Sequence, residues 1–273
     1  MRRTARWALG LLAAAFWYLS YIYLTLPDVR PLASTPPETT AFIERRAAEA
    51  RAAGREFRPT RRWVPYGRIS AHLKRAVLVT EDASFWSHDG IDYGEVRESI
   101  RINFERREFV RGASTITQQL AKNLYLSPSK HPDRKLRELL IARRLEAVLT
   151  KRRIFEIYLN VIEWGDGVFG ADAAARAHFG VSAGALGPEQ AALLAGAIIN
   201  PRVLDPGRPS PRLVRRQRMI LRRMGRATPP ADAVPAVPAP TLPELPPVNE
   251  GIPPKAAPGG QARLKSSPGG PIA

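Results

Sequence analysis

The sequence predicts a mainly α-helical domain with a transmembrane helix in front of it and a disordered tail behind it. Between residues 61 and 226, apolar residues recur at helical spacing behind capping residues, and no segment shows the strict alternation of a half-buried strand. An uncharged apolar run lies near the N-terminus, and thirteen of the chain's 26 prolines fall in the last 47 residues. These observations predict one folded domain with an appendage at each end.

The N-terminal run predicts a membrane anchor over residues 7–26, WALGLLAAAFWYLSYIYLTL. At about 1.5 Å per residue, this run reaches about 30 Å, the thickness of the hydrocarbon core. Three arginines lie within residues 1–6, so the positive-inside rule places that short segment in the cytoplasm and the rest of the chain outside it. A cleaved signal peptide is the alternative, but its apolar region is usually shorter, and no clear small-residue cleavage site follows Leu26.

Composition divides the rest of the chain. Residues 27–60 are predicted to form a stalk, since a Pro/Thr-rich stretch is followed by a short, Ala-rich, charged helix. Residues 61–226 are predicted to form the folded domain. The tail, residues 227–273, is rich in Pro and Gly and cannot bury enough apolar surface to offset the entropy of ordering, so we expect it to be disordered.

Capping residues and helical periodicity locate the helices of the domain. Thr115 and Gln118 form a capping box that opens a helix through about Leu126. An apolar stripe runs through residues 96–104, which predicts a further helix. The other predicted helix starts are Ser70, Asp133, Pro188 and Ser210.

The charge narrows the classes of partner. A formal net charge of +17 attracts polyanions: nucleic acid, an anionic membrane surface or a phosphate-bearing substrate. The absence of cysteine excludes disulfides and thiolate metal sites, and the four histidines lack metal-ligand spacing, so no metal site is predicted. Five arginines between residues 215 and 223 could face nucleic acid or anionic lipid, and the membrane anchor upstream favours lipid. No nucleic-acid partner is therefore expected.

The first candidate site is TEDASFWSHDG, residues 80–90, where an acid pair precedes two large aromatic residues. Phe85 and Trp86 would exclude water from a neighbouring carboxylate, which raises its pKa toward the range useful for proton transfer. Asp82 and His88 are close enough in sequence to pair across a turn, which leaves Glu81 as the candidate general base. A solvated acid pair at a helix end is the alternative that these residues leave open.

The second candidate site is RGASTITQQLAKN, residues 111–123. Small residues and hydroxyls, Ser114 among them, gather at a predicted helix N-terminus, where free N–H groups and the helix dipole favour an anion. Gln119, Lys122 and Asn123 share one helical face. The segment fits an oxygen-rich ligand and a helix with a polar outer surface about equally well.

The third candidate site is Glu138. Arg134 and Lys135 precede it by four and three residues, so all three side chains can meet on one helical face. An exposed pair at this spacing contributes only about 0.3–0.5 kcal/mol. Apolar residues continue the same face, however, which predicts a half-buried carboxylate ringed by cations. Such a group suits a diphosphate or a metal-bridged phosphate.

The three segments together resemble the peptidoglycan glycosyltransferases, a family with a lysozyme-like domain that polymerises lipid II. The chain is most similar to the monofunctional biosynthetic transglycosylases within that family. The resemblance implies a lysozyme-like glycosyltransferase fold. The matching pieces, in the family's order over about residues 62–222, are EDASFWSHDG, GASTITQQLAKN, RKLRELLIARRLE, KRRIFEIYLNVIEWGDGVFGADAAARAHFG and LLAGAIINP.

The resemblance also implies roles for the candidate residues. Glu81 matches the catalytic base that takes a proton from the acceptor's 4-hydroxyl, and Glu138 matches the second essential glutamate. Asp82 and His88 match positions that support the loop. Lys130 stands where many relatives have an arginine, which keeps the charge but loses the bidentate fork. The residues that match substrate- and diphosphate-binding positions are Ser114, Gln119, Lys122, Asn123, Lys130, Arg134 and Lys135.

The implied reaction is an inverting transfer of glycan from undecaprenyl diphosphate to lipid II. The implied partners are lipid II, the growing undecaprenyl-diphosphate glycan, membrane lipids and other cell-wall synthesis proteins, at the bacterial inner membrane with the domain on the periplasmic side. No organic cofactor is required, and the resemblance leaves a bridging divalent cation, Mg²⁺ or Mn²⁺, open. Two rival hypotheses remain: a muramidase or lytic transglycosylase that cuts the same polymer, and a membrane-tethered basic binding protein.

Overall fold

A computed structural model describes residues 2–108, 112–126 and 133–226. Two predictions lie outside these residues: the position of Lys130 and the disordered tail over residues 227–273. The described chain is mainly helical, as predicted. Its helices are α1 (Arg2–Leu24), α2 (Ala41–Ala52), α3 (Ala71–Glu81), α4 (Tyr93–Arg106), α5 (Ile116–Tyr125), α6 (Asp133–Val148), α7 (Lys151–Val161), α8 (Ala171–Phe179), α9 (Pro188–Ala197) and α10 (Pro211–Arg226).

Local capping explains where several helices begin. The predicted capping box opens α5: Thr115 Oγ1 accepts from the Gln118 N–H at 3.2 Å, and Gln118 Oε1 accepts from the Thr115 N–H at 3.3 Å. The Pro at the first position of α9 and of α10 lacks an N–H that would have no partner there. The predicted starts at Ser70, Asp133, Pro188 and Ser210 are confirmed to within one residue.

The main core surrounds α7, which supplies Phe155 and Tyr158. Phe85, from the loop after α3, is fully buried and its ring centroid lies 5.5 Å from that of Phe155. α5 packs against α6 and α7, and α3 packs against α9 and α10. The helix α3, at whose C-terminal end the first candidate site begins, is therefore held by its packing against α9 and α10.

Three short strands, β1 (Thr60–Arg61), β2 (Glu163–Gly165) and β3 (Val168–Phe169), form a small sheet. Their order is β1–β3–β2, with β1 parallel and β2 antiparallel to β3. Strands of two or three residues are too short to show an alternating pattern. This is why the sequence predicts no strand there.

The candidate membrane helix lies within α1. Thr4–Leu24 is long and apolar enough to cross a membrane. At its end, Arg137 of α6 lies over the Tyr21 ring at 5.7 Å and donates to Thr25 Oγ1 at 3.0 Å. A cation of the domain therefore contacts the end of this helix directly.

The segment predicted as a stalk, residues 27–60, packs on the domain. Val29 and Leu32 are buried in the main core. Arg153 of α7 donates from Nε to the Leu32 carbonyl at 2.7 Å. The predicted Ala-rich helix is present as α2. The start of this segment is thus part of the folded unit rather than a separate stalk.

α4 carries the predicted apolar stripe, but the stripe faces outward. Ile100 and Phe104 are 64% and 83% exposed, whereas Ser99, which directly precedes Ile100, is buried. A hydrophobic stripe on a helix predicts that one face avoids water, without fixing what covers it. The helix prediction is therefore confirmed, while the stripe contributes little to the core.

Candidate active site

A cavity of about 1180 Å³ opens at the C-terminal end of α3. Its wall is formed by the end of α3 and the following loop, by α4, by the segment before α5 and by α10. A site of this size can hold a polar ligand beside a carboxylate. The wall carries acids and arginines together, among them Glu81, Asp82, Asp92, Arg106, Arg216 and Arg223.

Glu81 is the last residue of α3 and lies in the cavity wall. Gln119 Nε2 donates a hydrogen bond of 3.0 Å to Glu81 Oε2. Burial raises the pKa of the Glu81 carboxyl, as the sequence predicts. The Gln119 hydrogen bond and the charges of Arg216 and Lys122 lower the same pKa, but burial outweighs them. A raised pKa makes the ionised carboxylate a stronger proton acceptor.

The carboxylate of Asp82, next to Glu81, is occupied by the protein. Its Oδ2 accepts from the N–H of Ile116 at 2.9 Å at the start of α5, and His88 Nε2 lies 3.1 Å from both oxygens. The N–H of Gly90 donates to His88 Nδ1 at 3.1 Å, so Nδ1 is an acceptor and Nε2 carries the proton donated to Asp82. Asp82 and His88 therefore hold the loop against α5.

The polar face of α5 is used largely within the protein. Both ends of the Gln119 amide are hydrogen-bonded, one of them to Glu81. Asn123 Nδ2 donates to the Gln119 carbonyl at 2.8 Å. Ser114 is exposed in the cavity wall, and Lys122 is half-buried with its charge acting on Glu81. Ser114 and Lys122 are therefore the members of this group best placed to meet a ligand.

The second predicted glutamate lies on α6. Glu138 is buried, and Lys135 Nζ donates to its Oε1 at 2.5 Å from a mostly exposed side chain. Arg134 is half-buried one turn before Glu138. The described lining of the cavity beside Glu81 does not include these three residues. These three residues lie on α6, which packs against α5. Lys130, between the two helices in sequence, is outside the described residues.

Arg216 is a cavity residue that the sequence pattern does not single out. The pattern assigns the arginines of α10 to a lipid-facing surface, but Arg216 and Arg223 line the cavity. Burial lowers the pKa of the Arg216 guanidinium, although the charge of Glu81 raises it. Its buried Nε has no hydrogen-bond partner among the residues with described side chains. The available signal is spacing, since Arg216, Met219 and Arg223 are three and four residues apart on one helical face.

Tyr158 is a second residue that the sequence gives no reason to select. It is fully buried on α7, and its Oη donates to Gln119 Oε1 at 2.9 Å. Burial raises the pKa of the phenol well above its ordinary value, and the negative charges of Glu81 and Asp82 act in the same direction. The hydroxyl is therefore neutral and able to donate.

The protein's own side chains do not form a metal site in the described ranges, where no group of three or more Asp, Glu or His side chains could hold an ion. Asp82, the acid beside Glu81, is already bound by the Ile116 N–H and by His88. These residues therefore do not fit a resident metal ion, and a cation shared with a bound diphosphate stays a prediction.

The chain is similar to known proteins over most of its length. Residues 17–225 match the transglycosylase family. A biosynthetic peptidoglycan transglycosylase of Nitrosomonas eutropha is 49% identical over 214 residues, which cover 78% of this chain and 86% of the relative. Proteins of the same name from Dechloromonas aromatica and Nitrosospira multiformis are 50% and 47% identical, over 69% and 70% of this chain and 81% and 84% of theirs. The chain therefore belongs to the transglycosylase family, alongside the biosynthetic peptidoglycan transglycosylases.

Proposed function

We propose that the protein polymerises lipid II into β-1,4-linked glycan strands of peptidoglycan. The observation that carries the proposal is Glu81, a half-buried carboxyl of raised pKa in the wall of a large cavity that also carries arginines. The names of the relatives supply the polymer, peptidoglycan. The arginines in this wall support a lipid-linked diphosphate substrate, since a departing diphosphate is stabilised by positive charge beside it.

In the proposed reaction, Glu81 is the general base. The 4-hydroxyl oxygen of the acceptor sugar bonds to the anomeric carbon of the donor, and the bond from that carbon to the diphosphate oxygen breaks. Glu81 takes the hydroxyl proton, and the undecaprenyl diphosphate leaves with the bonding electron pair. Glu81 must be ionised for this step, and its raised pKa makes it a stronger acceptor than a solvated glutamate.

We expect direct displacement with inversion at the anomeric carbon. A retaining mechanism needs a second carboxylate about 5–5.5 Å away as the nucleophile. The oxygens of Asp82 already accept hydrogen bonds from the Ile116 N–H and His88, so this neighbour is poorly suited to attack a sugar. Attack by the acceptor on an α-linked donor then gives a β bond.

The cations of the site are proposed to stabilise the diphosphate. The charges of Lys122 and Arg216 act on Glu81, which indicates that both lie near the reacting centre. Positive charge at that place is worth most as the leaving group gains charge. We propose that the cluster of Glu138, Arg134 and Lys135 on the neighbouring helix contacts the same lipid-linked substrate, as the family resemblance implies.

The substrate's polyprenyl chain requires an enzyme at a membrane surface. The candidate membrane helix in α1 fits an anchored transglycosylase. We propose that α1 is a single span of the inner membrane, with the domain on the periplasmic side. The contacts of Arg137 with Tyr21 and Thr25 support a fixed distance between the membrane and the domain.

A polymerisation assay tests the proposal. Purified full-length protein in detergent is supplied with lipid II, and the glycan products are separated by size. Glu81→Gln keeps the shape of the side chain but cannot take a proton, so we expect at least about a 100-fold loss of polymer formation. Glu105→Gln, an exposed position on α4, is the matched control and should polymerise normally. If the wild type and Glu81→Gln both form polymer, or if neither does, the assignment of Glu81 as the general base is refuted.

The rival functions predict different products. A muramidase or lytic transglycosylase shortens preformed glycan strands, and its sugar leaving group does not need arginines beside the reacting carboxylate. A basic binding protein leaves both lipid II and preformed glycan strands unchanged, and the Glu81→Gln variant keeps the ligand affinity of the wild type. Incubation of the protein with purified glycan strands, beside the lipid II assay, separates the three.

A further inference from the structure

Three groups are connected by hydrogen bonds from the core to the cavity. Tyr158 Oη donates to Gln119 Oε1 at 2.9 Å, and Gln119 Nε2 donates to Glu81 Oε2 at 3.0 Å. Tyr158 is fully buried on α7, Gln119 is on α5, and Glu81 ends α3. The bonds therefore link three helices and end at the carboxylate that faces the cavity.

The orientation of the Gln119 amide decides what Glu81 meets. With Nε2 toward Glu81, the amide donates a hydrogen bond that stabilises the carboxylate. With the amide reversed, Oε1 would face Glu81, which repels the carboxylate and favours the protonated acid. The two orientations thus favour opposite protonation states of Glu81.

Tyr158 distinguishes these two orientations. Its hydroxyl is kept neutral by burial and by the charges of Glu81 and Asp82, so it has one proton to donate. Among the described residues, Gln119 Oε1 is the acceptor recorded for that proton. If the amide reversed, the phenol would accept from Nε2 and its own proton would lose this acceptor inside the core, which is costly for a buried polar group.

We propose that Tyr158 is a positioning residue that fixes the Gln119 amide with its N–H toward Glu81 and thereby keeps Glu81 ready to accept a proton. The inference rests on the proposed role of Glu81 as the general base. Cooperative polarisation strengthens the effect, because the hydrogen bond accepted by Oε1 makes the Nε2–H a better donor. The other charged groups that act on Glu81 are Lys122 of α5, Arg216 of α10 and Asp82 of the adjoining loop, and none of them is changed by a substitution on α7.

The test is the pH profile of Tyr158→Phe, which removes the hydroxyl and keeps the ring in the core. Glu81 works only when ionised, so activity falls as the pH falls through its pKa. Loss of the amide's fixed orientation favours the protonated acid, and the acid limb of kcat should therefore move to higher pH by about half to one unit. Well above that limb, kcat should return close to the wild-type value, and KM for lipid II should be little changed.

Two further variants distinguish positioning from a general loss of packing. In the Gln119→Leu background, Tyr158→Phe should produce no further shift, because the amide through which Tyr158 acts is absent. Tyr66→Phe, at another buried tyrosine packed on Phe155, should leave the limb where it is. The proposal is overturned if Tyr158→Phe leaves the acid limb of kcat at the wild-type pH. It is also overturned if Tyr158→Phe moves that limb equally in the wild-type and Gln119→Leu backgrounds.

A direct titration separates failure of this inference from failure of the proposed function. Carbon-13 labelling of glutamate carboxyls in the full-length protein, with Glu81→Gln to identify the signal, reports the pKa of Glu81 without any activity. If Glu81→Gln polymerises normally while the Tyr158→Phe signal titrates at higher pH, the positioning stands and the base assignment falls. If Glu81→Gln is inactive and the signal of Tyr158→Phe is unshifted, the positioning falls and the base assignment stands.

Discussion

Arg216 brings a positive charge to Glu81 from α10, and this charge lowers the pKa of the carboxyl against the effect of burial. Arg216→Leu should therefore raise that pKa and move the acid limb of kcat to higher pH. It should also raise KM for lipid II and lower kcat/KM roughly tenfold or more, because we propose that this guanidinium contacts the diphosphate, and its Nε has no hydrogen-bond partner among the described side chains. Steady-state polymerisation across pH measures both effects.

The control for Arg216 is its neighbour. Arg215 is exposed on the same helix and is not among the residues that line the described cavity. Arg215→Leu removes the same charge from the chain, so any effect of net charge alone appears in both variants. Equal kinetics of the two variants would contradict the assignment of Arg216 to the site.

The hydrogen bonds of the Asp82 carboxylate predict a structural role for this residue. Asp82→Asn keeps one oxygen for the Ile116 N–H but presents an amide N–H₂ or a neutral oxygen to His88. Hydrogen bonds to a buried charge are the stronger kind, so we expect the free energy of unfolding to fall by about 1.5–3 kcal/mol. Urea unfolding in detergent measures the loss. Asp89→Asn, an exposed acid in the same loop, should unfold like the wild type, and an equal loss at both positions would contradict this role.

Residue types and spacing predict part of the site. Asp82 and His88 are six residues apart in one loop, and their pairing follows from that local distance. Gln119 and Tyr158 are 39 residues apart on different helices, so their contact depends on how α5 packs against α7. Spacing correctly groups the polar face of α5, but it cannot show that the Gln119 amide is already engaged by the protein at both ends.

At the scale of the element, the start of α5 combines a cap with a tertiary contact. Thr115 Oγ1 accepts from the Gln118 N–H and donates to the Gly90 carbonyl at 2.7 Å. Thr115→Ala removes both bonds, and we expect a loss of about 1–2 kcal/mol in the free energy of unfolding. Thr115→Ser keeps the hydroxyl and is the matched control. The prediction is wrong if urea unfolding gives both variants the same midpoint.

Helix starts are readable from sequence because a cap acts within four residues. The face that a helix turns to its neighbours is not local in this way. The arginines of α10 are consistent with solvent, lipid or a cavity, and only the packing of α10 on α3 selects the cavity for Arg216. In the small sheet, β1 pairs with β3 across about a hundred positions, Thr60 with Val168, and each strand is too short to leave a pattern.

At the scale of the whole molecule, the segment after the candidate membrane helix joins the core. Arg144 Nη1 donates to the carbonyls of Leu26 and Pro27 at 3.2 and 3.1 Å, and Val29 and Leu32 are buried beyond them. Hydrogen bonds to backbone carbonyls cannot be inferred from amino-acid composition. Val29 and Leu32 are two apolar residues in a segment rich in proline and threonine, and such a composition is typical of a linker. The sequence therefore locates the candidate membrane helix and the domain but does not show that packed chain joins them.

This packing predicts that the connection is needed for stability. Leu32→Ala removes a core side chain and should lower the free energy of unfolding of the full-length protein in detergent by about 2–5 kcal/mol. Leu24→Ala, at the last turn of α1 where the side chain is 81% exposed, is the matched control and should unfold within about 0.5 kcal/mol of the wild type. A free stalk would make both variants silent, whereas a packed connection makes only Leu32→Ala costly. Arg144 and Arg153 bind the backbone carbonyls of Leu26 and Leu32 in the same segment. If Leu32→Ala loosens this segment, amide hydrogens in residues 26–34 should exchange faster than in the wild type.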